Sequence, residues 1–346
     1  MLKVAVAGCG LIAVKNHIPA FLRLNNKIRV SALCDLNTEA MKKAADKFRI
    51  RNTYPDFAEM LDRESPDIVD ICTPPQTHAG LAIQALEKGA HVFLEKPMAL
   101  KTTECDLMIE AASRQKRQIR VMHNQLFNPA FMEARKRVES GEIGDFLAIN
   151  ICILTPVDYI TSKKEHWAHR LPGGVLGESG PHGVYLALAF LKDIYDIDAR
   201  AKKILPQYPW SKFEDFRINL FAGNGAGSII FNYVANQWMA DIVIMGTKGA
   251  LKVDLETQSV IKHDRRSLGR IGLGLSLSKD AFASLNNLTR NGLRFIRGRA
   301  LPAHFIGIEE FVRNILEGGE PGVSAQDARE TVRIMEAITE KLKCAE

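Results

Sequence analysis

The stretch KVAVAGCGLIA, residues 3–13, constrains the fold of this chain more than any other feature of the sequence. An apolar strand pattern leads directly into a loop with the spacing G-x-G-x-x-A, and a helix pattern follows. In such a loop the first glycine permits a tight turn, the second lets the backbone approach a pyrophosphate, and the small last residue lets helix and strand pack closely. The stretch therefore predicts a dinucleotide-binding turn in which Gly8, Gly10, Leu11 and Ile12 contact the cofactor.

The next strand pattern, IRVSALCD, ends at Asp35, 25 residues beyond Gly10. An acidic residue at about this spacing bonds the adenine ribose hydroxyl of NAD, and its charge repels the 2′-phosphate of NADP. Because the next residue, Leu36, offers that phosphate no positive charge, the sequence favours NAD over NADP. The alternative is that Asp35 only ends the strand or starts a turn.

Strand and helix patterns alternate up to about residue 122, which predicts a parallel, doubly wound sheet. Ligands of such sheets bind beyond the carboxyl ends of the strands. The segments TPPQTH, residues 73–78, and EKP, residues 95–97, both follow strand patterns. We therefore expect both segments to face the cofactor crevice, with Glu95 and Lys96 as cofactor contacts and Lys96 directed into a pocket.

From about residue 145 the pattern changes to strands joined by tight turns. Two strand patterns flank Asn224-Gly225, which is a strong hairpin signal, and two more flank a glycine turn in DIVIMGTKGALKVDL. The predicted fold is thus a doubly wound α/β domain, residues 1–122, joined to an α+β domain with an antiparallel sheet. The second domain, residues 123–346, would carry the substrate and subunit contacts and the C-terminal helices.

Four further segments resemble a known family. CTPPQTH, LEKPMAL, NQLFNPAF and GGVLGESGPHGVYL occur in this order after the glycine loop. Together they are similar to the glucose–fructose oxidoreductase/inositol dehydrogenase family, Gfo/Idh/MocA. The resemblance implies a Rossmann domain followed by an α+β domain with a large open, mostly antiparallel sheet. It also implies an NAD(P)-dependent dehydrogenase of sugars, cyclitols or nucleotide sugars that forms dimers or tetramers.

The resemblance implies roles for single residues. Lys96 matches the catalytic lysine of the family, and His182 matches its catalytic histidine. Thr73, Pro74 and His78 match positions that line the nicotinamide half of the cofactor.

Two residues depart from the family pattern. Glu178 lies four positions before His182, where the family commonly has aspartate, so the longer side chain shifts the carboxylate of this third candidate catalytic residue. Leu126 stands where many members carry arginine, so any substrate contact made by that arginine is absent here.

His182 is also a candidate from its local sequence. Ser179 and Pro181 are typical helix-start residues, which predicts His182 in the first helical turn. The positive end of a helix dipole disfavours imidazolium, so a neutral ring there can accept the proton of an alcohol. Lys96 would hydrogen-bond the same oxygen and stabilise its alkoxide character. The alternative is that His182 is a capping or packing residue.

Further polar residues are candidate substrate contacts. Trp167, His169 and Arg170 precede a glycine turn, and Arg170 suits a carboxylate or phosphate. A core tryptophan and a surface salt bridge explain them equally well. His123 and Asn124 follow the last strand pattern of the first domain, where they would contact sugar hydroxyls.

Cysteine usage and hydropathy place the chain in the cytoplasm. The six cysteines are scattered without metal-ligand spacing, so we expect small core residues in a reducing compartment and no metal site. No apolar run approaches the roughly 20 residues of a membrane span, and the first strand begins too early for a signal peptide.

The positive charge is concentrated in residues 262–300. The chain has a net charge of +6, whereas this segment has nine Lys/Arg and two Asp, a net of +7. The remainder is therefore near −1, which argues against a nucleic-acid surface. Residues 280–297 predict an amphipathic helix with one apolar arc, Phe282, Leu285, Leu288, Leu293, Phe295 and Ile296, and one basic arc, Arg290, Arg294 and Arg297. Such a helix packs on the sheet or a subunit, binds a membrane surface, or binds the phosphate of a nucleotide-linked substrate.

Two other functional classes stay open at this point. One is an NAD-binding regulator without turnover, against which an intact Lys96 and His182 argue. The other is a non-redox enzyme, such as a glycosidase, that uses tightly held NAD transiently.

Overall fold

The computed structural model describes residues 1–264, 269–296, 303–319 and 322–344. The chain divides into two compact units. The first unit contains Met1–Asn124 and Leu301–Arg333, and the second contains Gln125–Ala300 and Ile334–Glu346. The sequence-based division placed all the C-terminal helices in the second domain. The difference arises because the return of residues 301–333 to the first unit depends on tertiary packing, which a sequence pattern does not encode.

Strands and helices are numbered in chain order. The strands are β1 Leu2–Ala7, β2 Ile28–Cys34, β3 Asn52–Tyr54, β4 Ile68–Ile71, β5 His91–Glu95, β6 Ile119–Met122, β7 Phe146–Pro156, β8 Ile194–Lys202, β9 Asp215–Ala222, β10 Gly225–Ala235, β11 Met239–Gly246, β12 Gly249–Asp254 and β13 Ser259–His263. The helices are α1 Ile18–Arg23, α2 Thr38–Phe48, α3 Phe57–Glu64, α4 His78–Glu87, α5 Thr102–Gln115, α6 Pro129–Glu139, α7 Val175–Leu188, α8 Arg270–Ile296, α9 Ala303–Glu317 and α10 Ala325–Cys344.

The first unit is built on a parallel sheet in the strand order β3-β2-β1-β4-β5-β6. This confirms the predicted doubly wound sheet. Its strands are largely apolar because both faces are covered, as a parallel sheet requires, although Asp70 on β4 and Arg120 on β6 are also fully buried. Since all strands run in one direction, the segments that follow β1, β2, β4, β5 and β6 begin at one edge of the sheet. We call this edge the carboxyl edge.

The second unit has a mostly antiparallel sheet in the order β13-β12-β11-β7-β10-β9-β8, with β7 and β10 parallel to each other. The predicted hairpin is confirmed, because Ala222 pairs with Gly225 across the turn at Asn224. Helix α7 packs very closely on this sheet. A Cβ added at Gly183 would lie 2.7 Å from side-chain atoms of both Ile229 and Phe231, so the glycine permits the close approach.

Helix α7 begins earlier than its sequence predicts. Pro181 lies inside the helix, and His182 is its eighth residue. The prediction that His182 occupies the first turn was therefore wrong, and with it the argument that a helix dipole keeps this ring neutral. The physical reason is burial. Val175 and Leu176 are 2% and 0% exposed, so packing of these side chains stabilises a helical turn before Pro181 despite the proline.

The predicted basic amphipathic helix exists and is longer than expected. Helix α8 starts at Arg270, so the glycine-containing stretch before residue 280 is also helical. Arg297 lies outside the described residues, as do the side chains of Leu288, Arg290, Leu293, Arg294 and Phe295. The two C-terminal helix patterns are confirmed as α9 and α10. Within the described residues, no helix combines the length and apolar character needed to cross a bilayer.

Candidate functional site

The glycine loop follows β1 at the carboxyl edge. Gly8 has φ +94°, and a Cβ there would lie 2.7 Å from the carbonyl carbon of Cys72, so this position requires glycine. An added Cβ at Gly10 has no neighbour within 4 Å. Leu11 is 66% exposed, and Ile12 precedes a π-helical turn, Ala13–His17, that continues into α1. The tight turn and the open space at Gly10 fit the approach of a dinucleotide pyrophosphate.

Asp35 lies directly after β2 and ties that strand end to the glycine loop. Its Oδ2 accepts a hydrogen bond from the backbone N–H of Cys9 at 2.6 Å, and its Oδ1 accepts one from Asn37 N–H at 2.7 Å. Leu36 is 91% exposed. The carboxylate therefore has the structural role considered as the alternative. Its remaining lone pairs are compatible with ribose binding as well.

The loops after β4 and β5 are joined through His78. This ring is fully buried, with Nε2 2.9 Å from Thr73 O and Nδ1 2.8 Å from Pro97 O. Burial lowers the pKa of His78, whereas its hydrogen bonds to the carbonyl groups of Thr73 and Pro97 oppose that shift. His78 thus connects the segment containing Thr73 and Pro74 to the segment containing Lys96. Pro74 precedes a 3₁₀ turn, Pro75–Thr77, that leads into α4.

Glu95, the residue before Lys96, belongs to a buried network of ionisable side chains. His17 is fully buried, with Nδ1 2.9 Å from Asp70 Oδ1 and Nε2 2.8 Å from Glu95 Oε1. The other carboxylate oxygen of Glu95 accepts the backbone N–H of Lys96 at 3.2 Å. His304, on α9, lies 3.6 Å from Glu95 Oε1 through its Nε2. Because the His17 ring faces a carboxylate at each nitrogen, only imidazolium can donate to both.

The pKa values of this network follow from its geometry. Burial alone would lower the pKa of His17, but the negative charge of Asp70 holds it well above the usual value. Burial alone would raise the pKa of Glu95, but hydrogen bonds from His17 and His304 hold it well below the usual value. His17 and Glu95 are therefore both ionised around neutral pH, and the network links the carboxyl ends of β4 and β5.

The same histidine belongs to two groups of metal-ligand type: His17 with Asp70 and Cys72, and His17 with Glu95 and His304. In each group the ligand atoms lie within 4.8 Å of one another. Direct contacts of 2.8 and 2.9 Å already satisfy both ring nitrogens of His17, so an ion-pair network accounts for the geometry. The absence of a metal site remains a prediction from the sequence.

His123 and Asn124 follow β6 at the carboxyl edge. His123 is 1% exposed, and burial lowers its pKa to about 3, so this ring is neutral. Asn124 begins a 3₁₀ turn, Asn124–Phe127, and is only partly buried. Of these two predicted substrate contacts, Asn124 has the exposure that a sugar hydroxyl contact requires, and His123 does not.

In the second unit, Glu178, His182 and Tyr185 lie on one face of α7, at i, i+4 and i+7. His182 Nδ1 is 2.6 Å from Tyr185 Oη, and Tyr185 Oη accepts the backbone N–H of Gln125 at 3.1 Å. Glu178 accepts a hydrogen bond from the hydroxyl of Ser179. Tyr185 is 2% exposed, so it forms a fixed support for a partly buried histidine ring.

The 3₁₀ turn Trp167–Arg170 holds the remaining predicted substrate contacts. Trp167 is 39% exposed and Arg170 is exposed. His169 has a structural role, because its Nε2 lies 3.1 Å from Lys163 O. His166 begins this turn, and burial lowers its pKa while the charge of nearby Glu178 opposes that shift. His166 is thus a polar neighbour of Glu178.

Sequence reasoning missed five residues of these clusters: His17, Asp70, Tyr185, His166 and His304. Asp70 had a usable signal, because a carboxylate inside the apolar run DIVDIC needs a buried partner. Tyr185 could have been found from its i+3 spacing to His182. Nothing local in the sequence marks His304, since its contact with Glu95 spans more than 200 residues of chain.

Two family models match this chain. The model described as an oxidoreductase family with an NAD-binding Rossmann fold matches residues 2–123. The model described as the GFO/IDH/MocA C-terminal domain matches residues 131–252. Together these segments cover well over half of the sequence.

Curated relatives and solved structures agree with that match. D-apiose dehydrogenase of Paraburkholderia graminis is 23% identical over 348 residues, which is 97% of this chain and 86% of that protein. Oxidoreductase P35 of Formosa agariphila is 24% identical, over 74% of this chain and 80% of that protein. The fold is similar to that of the WlbA dehydrogenase from Bordetella pertussis in complex with NADH and UDP-GlcNAcA, with a TM-score of 0.81, 19% identity, and coverage of 100% of this chain and 96% of that one. A levoglucosan dehydrogenase in complex with NADH and levoglucosan gives a TM-score of 0.82, 21% identity, and coverage of 100% and 98%.

Proposed function

This chain belongs to the Gfo/Idh/MocA family of NAD-binding oxidoreductases, and on that premise we propose that it is a dehydrogenase of a sugar, cyclitol or nucleotide sugar. The reaction transfers a hydride between nicotinamide and a carbinol or ketone carbon. The observation that carries the proposal is the carboxyl edge, where the glycine loop, Asp35 and Lys96 follow strands of one parallel sheet. The named relatives act on compounds of this class, as D-apiose dehydrogenase and levoglucosan dehydrogenase do.

The residues of the first unit fit NAD. The glycine loop has the close backbone approach at Gly8 and the open space at Gly10 that a pyrophosphate needs. Asp35 is proposed to bond the adenine ribose, and the segment from Thr73 to His78 is proposed to support the nicotinamide half. Glu95, which is 8% exposed, is proposed to act by fixing the backbone at Lys96. Bound NAD supplies the hydride acceptor, and NADP is disfavoured by the carboxylate of Asp35.

Lys96 and His182 are proposed as the acid–base pair. In the oxidation direction His182 removes the hydroxyl proton through Nε2, while Lys96 hydrogen-bonds the same oxygen as negative charge develops on it. This role requires that Nδ1–H of His182 donates to Tyr185 Oη, because that tautomer leaves the lone pair on Nε2. Glu178 would support the histidine from the same face of α7. In the reverse direction the same two groups deliver the proton to a ketone.

The remaining predicted contacts suggest a polar substrate. Trp167 and Arg170 are the exposed members of their 3₁₀ turn, and Arg170 would bind a carboxylate or phosphate of the substrate. Asn124 would bind a sugar hydroxyl. His123 and His169 are assigned a supporting role in the proposal because of their burial and carbonyl contacts.

The test is turnover of a panel of sugars, cyclitols and nucleotide sugars with NAD, followed by the absorbance of NADH. Lys96→Ala should lower turnover by about two to four orders of magnitude while NAD binding is retained. Lys42→Ala, a change at an exposed lysine on α2, is the matched control and should have no effect. Unchanged turnover in Lys96→Ala would refute the assigned role, and sugar release without net NADH would indicate a glycosidase.

Assembly and location complete the proposal. We propose a cytoplasmic homodimer or homotetramer, and light scattering of the purified protein measures its mass directly. Cys9, Cys34, Cys72, Cys105 and Cys152 are free thiols, which accords with a reducing compartment. We also propose that the basic segment 262–300 makes a peripheral contact with a membrane surface.

A further inference from the structure

Polar side chains hold helix α8 against β13 and the turn before it. Asn287 is 8% exposed, and its amide Nδ2 donates to Val260 O at 3.2 Å. Asn291 is 5% exposed, and its Nδ2 donates to Thr257 O at 3.2 Å. One turn apart on the helix, these asparagines define the side of α8 that faces β13. A surface helix normally places apolar residues on that side.

The opposite side of α8 carries most of the large exposed apolar side chains of this helix. At 100° per residue, one group of large side chains falls within an arc of about 80° centred opposite the two asparagines. We call this group the apolar stripe: Ile271, Leu275, Phe282, Leu285 and Ile296. Each member is between 58% and 85% exposed. The stripe extends over about 38 Å of helix, at 1.5 Å per residue.

The charged side chains that the structure describes on the flanks of the stripe are basic. Arg270 and Lys279 are exposed and lie on opposite flanks of it on the helical wheel. Asp280, the one acidic residue of α8, faces the asparagine side, where its Oδ2 lies 3.3 Å from His263 Nδ1. The segment 262–300 carries a net charge of +7 in a chain of +6. The stripe therefore suits an anionic surface, whereas pairing with a second copy would bring two such segments together.

We propose that the apolar stripe docks on an anionic lipid surface, with α8 lying in the plane of the headgroups. The stripe enters the boundary of the acyl region, and the basic flanks remain at the level of the phosphates. A helix with one apolar arc and one polar side has the geometry of an interfacial helix. This inference is independent of the proposed dehydrogenase function, because vesicle binding requires no turnover.

The test is sedimentation of the full-length protein with vesicles of phosphatidylcholine alone or phosphatidylcholine with phosphatidylglycerol. The protein should sediment with the anionic vesicles, and high salt should reduce binding by screening the headgroups. Leu275→Ser should lower the partition coefficient by about tenfold. Leu277→Ser is the matched control, since Leu277 is 64% exposed, against 61% for Leu275, and lies outside the stripe.

A triple variant extends the test. Leu275→Ser, Phe282→Ser and Leu285→Ser together should abolish sedimentation with vesicles, while thermal unfolding stays that of the native protein because all three side chains are exposed. Absence of wild-type binding to anionic vesicles would overturn the proposal, as would equal binding by the two leucine variants. A dimer that the triple variant dissociates, without vesicle binding by the wild type, would also overturn it and assign the stripe to a subunit interface.

Discussion

His17 and Glu95 are joined by a buried hydrogen bond of 2.8 Å between Nε2 and Oε1. The second carboxylate oxygen of Glu95 accepts the backbone N–H of Lys96, and the second ring nitrogen of His17 faces Asp70. The backbone of the proposed catalytic lysine is thus connected to an ion-pair network within the sheet. Removing one member of a buried network leaves a charge without its partner, which typically costs about 3–5 kcal/mol.

The His17 network predicts a loss of stability at alkaline pH. The pKa of His17 is raised well above 6.5 in the folded state. Its contribution is fully present below pH 6.5 and is lost as pH rises from there through the folded pKa. Over that window the free energy of unfolding should fall by up to about 1.4 kcal/mol per pH unit from this group. Urea denaturation of the wild type and His17→Gln from pH 6 to about pH 9 should show the difference between them narrowing.

His91→Gln is the control for that experiment. Burial lowers the pKa of His91 to about 4, so this residue contributes no slope above pH 6.5. The pKa of Glu95 is lowered well below 4.5, so its contribution is present above pH 4.5 and is lost only as pH falls. A constant difference between wild type and His17→Gln up to about pH 9 would contradict an ionised His17.

Tyr185→Phe should impair proton transfer without unfolding the protein. The change removes the hydroxyl that orients His182 through a 2.6 Å contact, so both tautomers of the ring become accessible. We expect kcat to fall by about tenfold or more, with little change in the KM for NAD and a shifted pH–rate profile. Tyr195→Phe, at a residue that is 74% exposed on β8, is the matched control. An unaltered pH–rate profile in Tyr185→Phe would show that Tyr185 serves only in packing.

Asp35→Asn should weaken the preference for NAD. The change removes the negative charge but keeps one carbonyl oxygen that can accept the N–H of Cys9 or Asn37. The ratio of kcat/KM for NADP to that for NAD should rise by about tenfold, because repulsion of the 2′-phosphate is lost. Asp46→Asn, at an exposed residue of α2, should leave the ratio unchanged. An unchanged ratio in Asp35→Asn would limit Asp35 to its structural contacts with the glycine loop.

Local sequence patterns predicted those parts of the fold that depend on local physics. The glycine loop, the alternation of strands and helices, and the hairpin at Asn224 each carry their signal within a few residues, and the structure confirms them. The start of α7 was mispredicted because Pro181 is typical of a first turn, whereas burial of Val175 and Leu176 decided the matter. Local propensity is a weak prior that tertiary packing overrides.

Some residues of the candidate site could likewise be predicted from local sequence patterns, and others could not. Lys96 and Asp35 could be placed at the carboxyl edge because parallel strands bring their ends together. His78 could be identified as a candidate from the sequence. Its contacts with the carbonyl groups of Thr73 and Pro97 could not be predicted, because they depend on how the two loops pack. The contact of His304 with Glu95 required the fold itself, because a chain pattern gives no information on long-range pairing.

Alanine substitutions at Gly8 and Gly10 should have different effects, the first on the stability of the protein and the second on its affinity for NAD. Gly8→Ala places a Cβ 2.7 Å from the backbone of Cys72 at φ +94°, so we expect a loss of at least about 2 kcal/mol in the free energy of unfolding. Gly10→Ala meets no atom within 4 Å, so its stability should stay within about 0.5 kcal/mol of the wild type. Its NAD affinity should nevertheless fall, because the new methyl group occupies the space where the backbone approaches the pyrophosphate. Denaturation curves and NAD titrations of both variants measure the two effects, and full NAD affinity in Gly10→Ala would show that the pyrophosphate lies elsewhere.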